Sequence, residues 1–468
     1  MSGLDDASRE DLLALIGLQQ RVIDELRAEV AELKRRVAMN SSNSSKPPSL
    51  DGPGVARKAR TPRGKSGRRP GKQPGTPGTT LRWAADPQVV DHVPASCGGC
   101  GSDLSGAPDA GVVRRQVVDV PEVCAFTVEH RLHKRRCGCG RTTTAPAPYG
   151  ADAPVQYGPN LRALACYLVV FQHVPAERAA LLIADVTGAR VSTGWIARTV
   201  ARTAGLLADT EAFIKTLLTL AHVLHVDETS TSIAGNTQWL HVACTDTLTA
   251  YHLHPSRGLK AVESFGVLPV FAGTVAHDSL AQYRPENFPL SRHALCGAHI
   301  IRELTAAAEA DPGQIWPGQA LFALTSLNTQ AHRARKRGEV FIAPSITAFY
   351  THLWDQAVLV GLANNPRAPG REQSKTRNLL ERLTRRRAEV LRFSVDLTCP
   401  FTNNQGERDL RPAKTQLKIS GCHRSATGAQ AWLTIRGYLS TARKHGVGVM
   451  AALRDAVTAT PWTPPLPA

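Results

Sequence analysis

Two β-rich runs that each end on an aspartate constrain the fold more than any other feature of the chain. One is Ala221 to Asp227 (AHVLHVD); the other is Phe271 to Ala276 (FAGTVA), followed by His277 and Asp278. Between them, Trp239 to Ala243 and Thr249 to His254 read as short strands separated by turn residues, and Gly258 to Leu268 reads as a helix. Three strands, a helix and a fourth strand can form a mixed sheet in which the end of the first strand lies beside the end of the fourth, bringing Asp227 and Asp278 together. Two carboxylates so placed repel unless cations lie between them, and hard oxygen donors suit Mg²⁺ or Mn²⁺. Glu228 follows Asp227, but strand alternation turns it to the opposite face.

A third acid is needed to hold two such ions. Glu303, Glu309 and Asp311 come soon after Asp278, whereas Glu407 comes much later, in Asn403-Asn404-Gln405-Gly406-Glu407-Arg408. Helical geometry favours Glu407, because Arg411, Lys414 and Lys418 then share its face at ~3.6 residues per turn. One carboxylate above a row of cations suits a metal beside a phosphate backbone, and a solvated charged face is the competing reading.

Charge points the same way. Lys and Arg total 56 against 39 for Asp and Glu, a formal +17, which makes a polyanion the first partner to consider, nucleic acid ahead of an anionic membrane surface. Arg57, Lys58, Arg60, Arg63, Lys65, Arg68, Arg69 and Lys72 sit in a Ser/Asn-rich, then Pro/Gly-rich stretch with no acid from Gly52 to Thr80. Such a segment cannot build a core, so it reads as a disordered basic linker that contacts phosphates or is merely solvated. The longest apolar run, Ala163 to Phe171, falls far short of the ~20 residues needed to span a bilayer. No membrane partner is expected.

Three further patterns concern assembly and DNA grip. With Leu12, Gln19, Leu26 and Leu33 at d, Ile16, Ile23, Val30 and Val37 fall on a, the arrangement that favours two parallel strands. Residues 12–37 are therefore expected to form a coiled coil in a homodimer or higher oligomer, against the alternative of a helix packed on its own domain. Cys97-Gly-Gly-Cys100-Gly101 and Cys137-Gly-Cys139-Gly140 suit two turns converging on a structural Zn²⁺, with Cys124, His130 and His133 as competing ligands and four unrelated cysteines as the alternative. Pro175 to Asp185, a turn at Thr187-Gly188 and a Ser192-capped helix carrying Trp195, Arg198 and Arg202 read as a helix-turn-helix or as part of an ordinary bundle.

In order along the chain, the zipper with NSSNSSKPPS, the Cys-rich segment, YGPNL, HVDET, HDSLAQY, CGAH and NNQGERDLRPAKTQLK resemble transposases of the insertion sequence 66 family, members of the DDE group. The resemblance covers nearly the whole chain. It implies a ribonuclease-H-like catalytic core with catalytic, metal-holding acids at Asp227, Asp278 and Glu407, and it sets aside Glu303, Glu309 and Asp311. Phosphate-clamping residues are implied at Arg411, Lys414 and Lys418. Two departures stand out: Cys137-Gly-Cys139 is shorter than the usual second cysteine pair, and Gly297 follows Cys296 where an aromatic is common. Cys296 and His299 match the family's Cys-x-x-His, with a core contact or helix-start hydrogen bond as the expected role.

The resulting expectation is a multidomain α+β or α/β chain: a coiled-coil helix (1–39), a basic linker (40–80), a zinc-binding domain (81–150) and a helical DNA-binding domain (151–215). A ribonuclease-H-like mixed-sheet core (216–312) follows, then a helical insertion (313–398) and C-terminal core helices with a tail (399–468). The implied activity is two-metal phosphoryl transfer on double-stranded DNA, at terminal inverted repeats and target DNA, in the cytoplasm and associated with the bacterial nucleoid. Two catalytic Mg²⁺ or Mn²⁺ ions, a structural Zn²⁺ and element-encoded accessory proteins are the implied cofactors and partners. A non-catalytic zinc-containing DNA-binding regulator and a ribonuclease-H-like nuclease without strand transfer are the alternatives.

Overall fold

The computed structural model describes residues 9–38, 75, 77, 81–148, 150–370 and 372–466. The expected DNA-contacting residues Arg57, Lys58, Arg60, Arg63, Lys65, Arg68, Arg69 and Lys72 lie outside the described residues. The chain divides into two compact units, Ala56–Ala125 and a larger one made of Met1–Val55 with Phe126–Ala468. The fold is mixed α+β, with one five-stranded mixed sheet and many helices.

In the larger unit, α1 (Arg9–Ala38) is one continuous 30-residue helix. Its Ile16, Ile23, Leu26, Val30, Leu33 and Val37 side chains are exposed, so the described residues leave the heptad stripe uncovered. A short antiparallel pair, β1 (Lys134–Arg136) and β2 (Thr142–Thr144), precedes four helices. These are α2 (Pro159–Cys166), continued by a π-helical turn at Tyr167–Phe171, α3 (Ala176–Thr187), α4 (Thr193–Leu206) and α5 (Ala208–Thr219). Ser192 Oγ accepts the Trp195 N–H at 3.1 Å and so caps α4, satisfying one of the donors orphaned at a helix start. Arg198 and Arg202 are exposed, while Trp195 packs edge-on against Tyr157.

The central sheet is formed by β3 (Val223–Ile233), β4 (Asn236–Cys244), β5 (Thr249–His254), β6 (Thr274–His277) and β7 (Arg292–Leu295), in the order β5-β4-β3-β6-β7. Strands β3, β4 and β5 run antiparallel, and β3, β6 and β7 run parallel. The chain passes from β5 to β6 through α6 (Leu259–Phe265) and a 3₁₀ turn at Leu268–Val270. The helix is thus shorter than its sequence pattern suggests, and the following strand starts only at Thr274. β3 runs past Asp227 to Ile233 because Glu228 through Ile233 keep pairing with β4. Strand β7 is absent from the sequence reading: four residues are too few to establish a period.

Alternation along the strands divides the core. Leu224 and Val226 of β3, with Val275 of β6, pack against α5, α6 and Phe271 on one face. On the other, Leu240, Val242 and Tyr251 pack against α14 (Ala426–Lys444), which also touches α15 (Val449–Val457) and α4 in a core that includes Leu433, Ile435, Leu439 and Leu453. Burial of each such Leu or Ile contributes roughly 1.5–3 kcal/mol. Between β7 and α13 (Asn404–Ser420) come α7 (Gly297–Ala310), α8 (Trp316–Lys336), α9 (Pro344–Asn364), α10 (Lys375–Arg385), α11 (Arg387–Val390) and α12 (Arg392–Val395). These helices close around a core of their own that includes Trp316, Leu327, Trp354 and Leu380. Among the described residues, no helix is long and apolar enough to cross a membrane.

Candidate active site and cysteine turns

Parallel pairing sets Val223 beside Thr274, Leu224 beside Val275 and His225 beside Ala276. The same offset, carried one residue past the end of β6, sets Asp227 within β3 beside Asp278. Both are half-buried. Burial first, then the charges of Glu228, Asp278 and Glu407, holds the Asp227 carboxyl well above its usual range. Burial, then the charge of Glu228, pushes Asp278 up to about 7. The bonds to the two carboxylates come from backbone: Glu228 N–H donates to Asp227 Oδ1 at 2.9 Å, and Leu280 N–H to Asp278 Oδ1 at 3.1 Å.

Glu407 is half-buried in the first turn of α13, and a buried asparagine fixes where that helix begins. Asn403 Nδ2 donates to the Val226 carbonyl at 2.7 Å, which turns its Oδ1 toward His225, whose Nδ1–H donates at 2.9 Å. The Asn403 N–H donates to Cys296 Sγ at 3.2 Å. Cys296 in turn receives its place from β6, its N–H donating to the His277 carbonyl at 2.9 Å. The expected structural role of this cysteine is therefore realised as a contact across the sheet ends and at the start of α7. Gly406 makes the approach possible: a Cβ there would stand 3.1 Å from Asp227 Cβ. The unusual Gly297 also has a reason, since the Phe401 ring lies 2.3 Å from where its Cβ would be. Phe401 fills the space that an aromatic at 297 would need.

Arg411, Lys414 and Lys418 are exposed along α13, and none forms an ion pair among the described residues. The rival acids are occupied differently. Glu303 pairs with Arg382 of α10, and Asp311 accepts from Gly313 N–H at 3.1 Å and Gln314 Nε2 at 2.7 Å in the turn after α7.

Glu228 is the residue whose part sequence reasoning missed. Its side chain is 1% exposed and is held by Arg257 Nε at 2.9 Å, Gln282 Nε2 at 3.0 Å and Tyr283 Oη at 2.6 Å, all donating to it. Gln282 and Tyr283 lie just beyond Asp278, so this carboxylate latches the Asp278 loop onto β3. An acid directly after Asp227 in a buried strand was the available signal.

Asp227, Asp278 and Glu407 thus form a half-buried, oxygen-only donor set, and none forms an ion pair among the described residues. Carboxylates without a cationic partner, two of them held above their usual pKa by burial and neighbouring acids, fit a divalent cation such as Mg²⁺ or Mn²⁺.

The cysteine pairs form two turns of one design, each within its own unit. In the smaller unit, Cys97 N–H donates to the Ser102 carbonyl at 2.8 Å and Gly101 N–H to the Cys97 carbonyl at 2.9 Å. In the larger unit, Cys137 N–H donates to Arg141 O at 2.8 Å and Gly140 N–H to Cys137 O at 2.9 Å. The second turn is one residue shorter, which matches its shorter cysteine spacing. Gly101 and Gly140 adopt φ of 77° and 87°, a region L side chains avoid. Hydrogen bonds from Ser102 and the neighbouring Cys97 lower the Cys100 thiol to about 7, and bonding to Cys139 lowers Cys137. Exposed thiols of lowered pKa in such turns are ready ligands for Zn²⁺.

A family model described as the transposase IS66 family matches residues 154–431, more than half of the chain. A second model, described as a family of unknown function (DUF6444), matches residues 6–82. An uncharacterized protein, y4jO, of Sinorhizobium fredii is 28% identical over 181 residues, 39% of this chain and 51% of the relative. The chain spans about half the length of that relative.

Proposed function

The chain belongs to the IS66 family of transposases, and on that premise we propose that it binds transposon ends and catalyses divalent-metal-dependent cleavage and strand transfer of DNA. The observation that carries the reading is the convergence of Asp227 within β3, Asp278 just past the end of the parallel β6 and Glu407 at a helix start, with the charges of the latter two felt at Asp227. A sheet of three antiparallel strands extended by two parallel ones supports a ribonuclease-H-like core.

Asp227, Asp278 and Glu407 are the residues that would hold two Mg²⁺ or Mn²⁺ ions. When bound, these ions lower the pKa of a water or a DNA 3′-hydroxyl and stabilise the leaving oxygen of an in-line displacement. The chain's own contribution is positioning. Asn403 holds Glu407 against β3, Glu228 holds the Asp278 loop, and Arg411, Lys414 and Lys418 take the phosphates beside Glu407. The exposed heptad stripe of α1 supports pairing of two protomers through residues 12–37, and each cysteine turn is by itself suited to thiolate ligation of Zn²⁺. Terminal inverted repeats and target DNA are the proposed substrates.

The test is strand transfer by purified protein on DNA carrying the element's ends and a target, with Mg²⁺. Asp227→Ala is expected to reduce joined product by roughly a thousand-fold or more, about 4 kcal/mol of barrier, while end binding in a mobility-shift assay is retained. Equal loss of both would make Asp227 a structural acid. Nicked but never joined product would identify a nuclease.

A further inference from the structure

We propose that His277, His293 and Glu389 form a divalent transition-metal site of the Zn²⁺ type that ties β6 and β7 to α11, one residue from Asp278. The proposal does not rest on the transposition chemistry above. Among the described residues, this is the one group of three or more His, Cys, Asp or Glu side chains whose donor atoms all lie within 4.8 Å of one another. His277 and His293 are 0% and 2% exposed.

Proton bookkeeping on the two rings points to a cation between them. His277 Nδ1 faces the Asp278 carbonyl, and His293 Nε2 faces the Phe288 carbonyl at 3.3 Å. A carbonyl only accepts, so each of these nitrogens carries a hydrogen. The two remaining nitrogens, His277 Nε2 and His293 Nδ1, lie 3.1 Å apart, and in neutral rings both present lone pairs. Lone pairs so placed repel unless something positive joins them. A metal ion uses both lone pairs and gains the Glu389 carboxylate as a third donor.

The dimensions agree with this. Two nitrogens on a tetrahedral Zn²⁺, each at about 2.0–2.1 Å from the ion, stand roughly 3.3 Å apart. A backbone carbonyl on the far nitrogen is the arrangement that fixes the tautomer of a metal-bound histidine. Two cations are close. Arg386 directs both of its contacts to Glu389 Oε2, with Nε at 2.8 Å, leaving Oε1 outside the fork. Arg392 Nε donates to the His293 carbonyl at 2.7 Å. The donors left for an incoming ion are Glu389 Oε1 and the two ring nitrogens.

The experiment counts zinc in the full-length protein by plasma mass spectrometry after incubation with ZnCl₂ and exhaustive dialysis. A variant with Cys97, Cys100, Cys137 and Cys139 all changed to Ser removes the thiol ligands and is expected to retain one Zn²⁺ per chain. Adding His293→Gln or Glu389→Gln is expected to reduce that content at least ten-fold, with circular dichroism confirming the fold. No zinc in the folded cysteine variant, or unchanged zinc after His293→Gln and Glu389→Gln, overturns the site. Should the cysteine variant not fold, the same two substitutions are made in the native chain. A loss of one Zn²⁺ per chain then supports the site, and no loss overturns it.

Discussion

Asn403 Nδ2 donates to the carbonyl of Val226 at 2.7 Å, so the residue before α13 is tied to the backbone immediately before Asp227. The chain thereby couples the position of the third acid to that of the first. Asn403→Ala removes this bond and the one accepted from His225, leaving two buried polar groups unpaired. A loss of about 2–4 kcal/mol of unfolding free energy is expected, read from the shift of the urea-unfolding midpoint. Strand transfer should fall further than end binding.

Gly406→Ala separates geometry from stability. Alanine is favoured over glycine in a helix by ~1 kcal/mol, yet its methyl would stand 3.1 Å from Asp227 Cβ and 3.2 Å from the Asn403 amide. α13 must shift to make room. Strand transfer is expected to drop at least ten-fold with a change of only a few degrees in the melting temperature. A large fall in melting temperature with normal activity in the folded fraction would contradict the close approach.

The raised carboxyls set a pH dependence. Asp278 is pushed up to about 7 and Asp227 is held high as well, so the folded Mg²⁺-free protein binds more protons than the unfolded chain between about pH 4 and 7. Its stability contribution from these groups therefore falls as pH rises through that window. Melting curves in Mg²⁺-free buffer should be higher at pH 5.5 than at pH 8. Adding Mg²⁺ should raise the melting temperature more at pH 8, where the carboxyls are ionised. Asp278→Asn should reduce both effects, leaving the part that burial and Glu228 impose on Asp227.

The exposed cations of α13 are predicted to act on phosphates. Replacing Arg411, Lys414 and Lys418 with Gln should reduce the slope of log affinity against log salt by up to about 3, close to one for each phosphate no longer neutralised. The Mg²⁺-dependent rise in melting temperature should be unchanged, because these side chains are exposed and do not touch the acids' supports.

The sequence by itself determined the features that depend on local periodicity and chain polarity. Strand runs leading into Asp227 and Asp278, the capped helix at Ser192, the helical face joining Glu407 to Arg411, Lys414 and Lys418, and the heptad of α1 follow from residues a few positions apart. Only the tertiary structure decided what meets across long separations. The parallel register beside β6, the Asn403 tie to Val226, the Tyr283 and Arg257 grip on Glu228 and the meeting of His277, His293 and Glu389 arise from packing between distant segments. No short-range pattern encodes them, because buried polar groups take whichever partners the packed core brings within reach, and a buried group without one is costly.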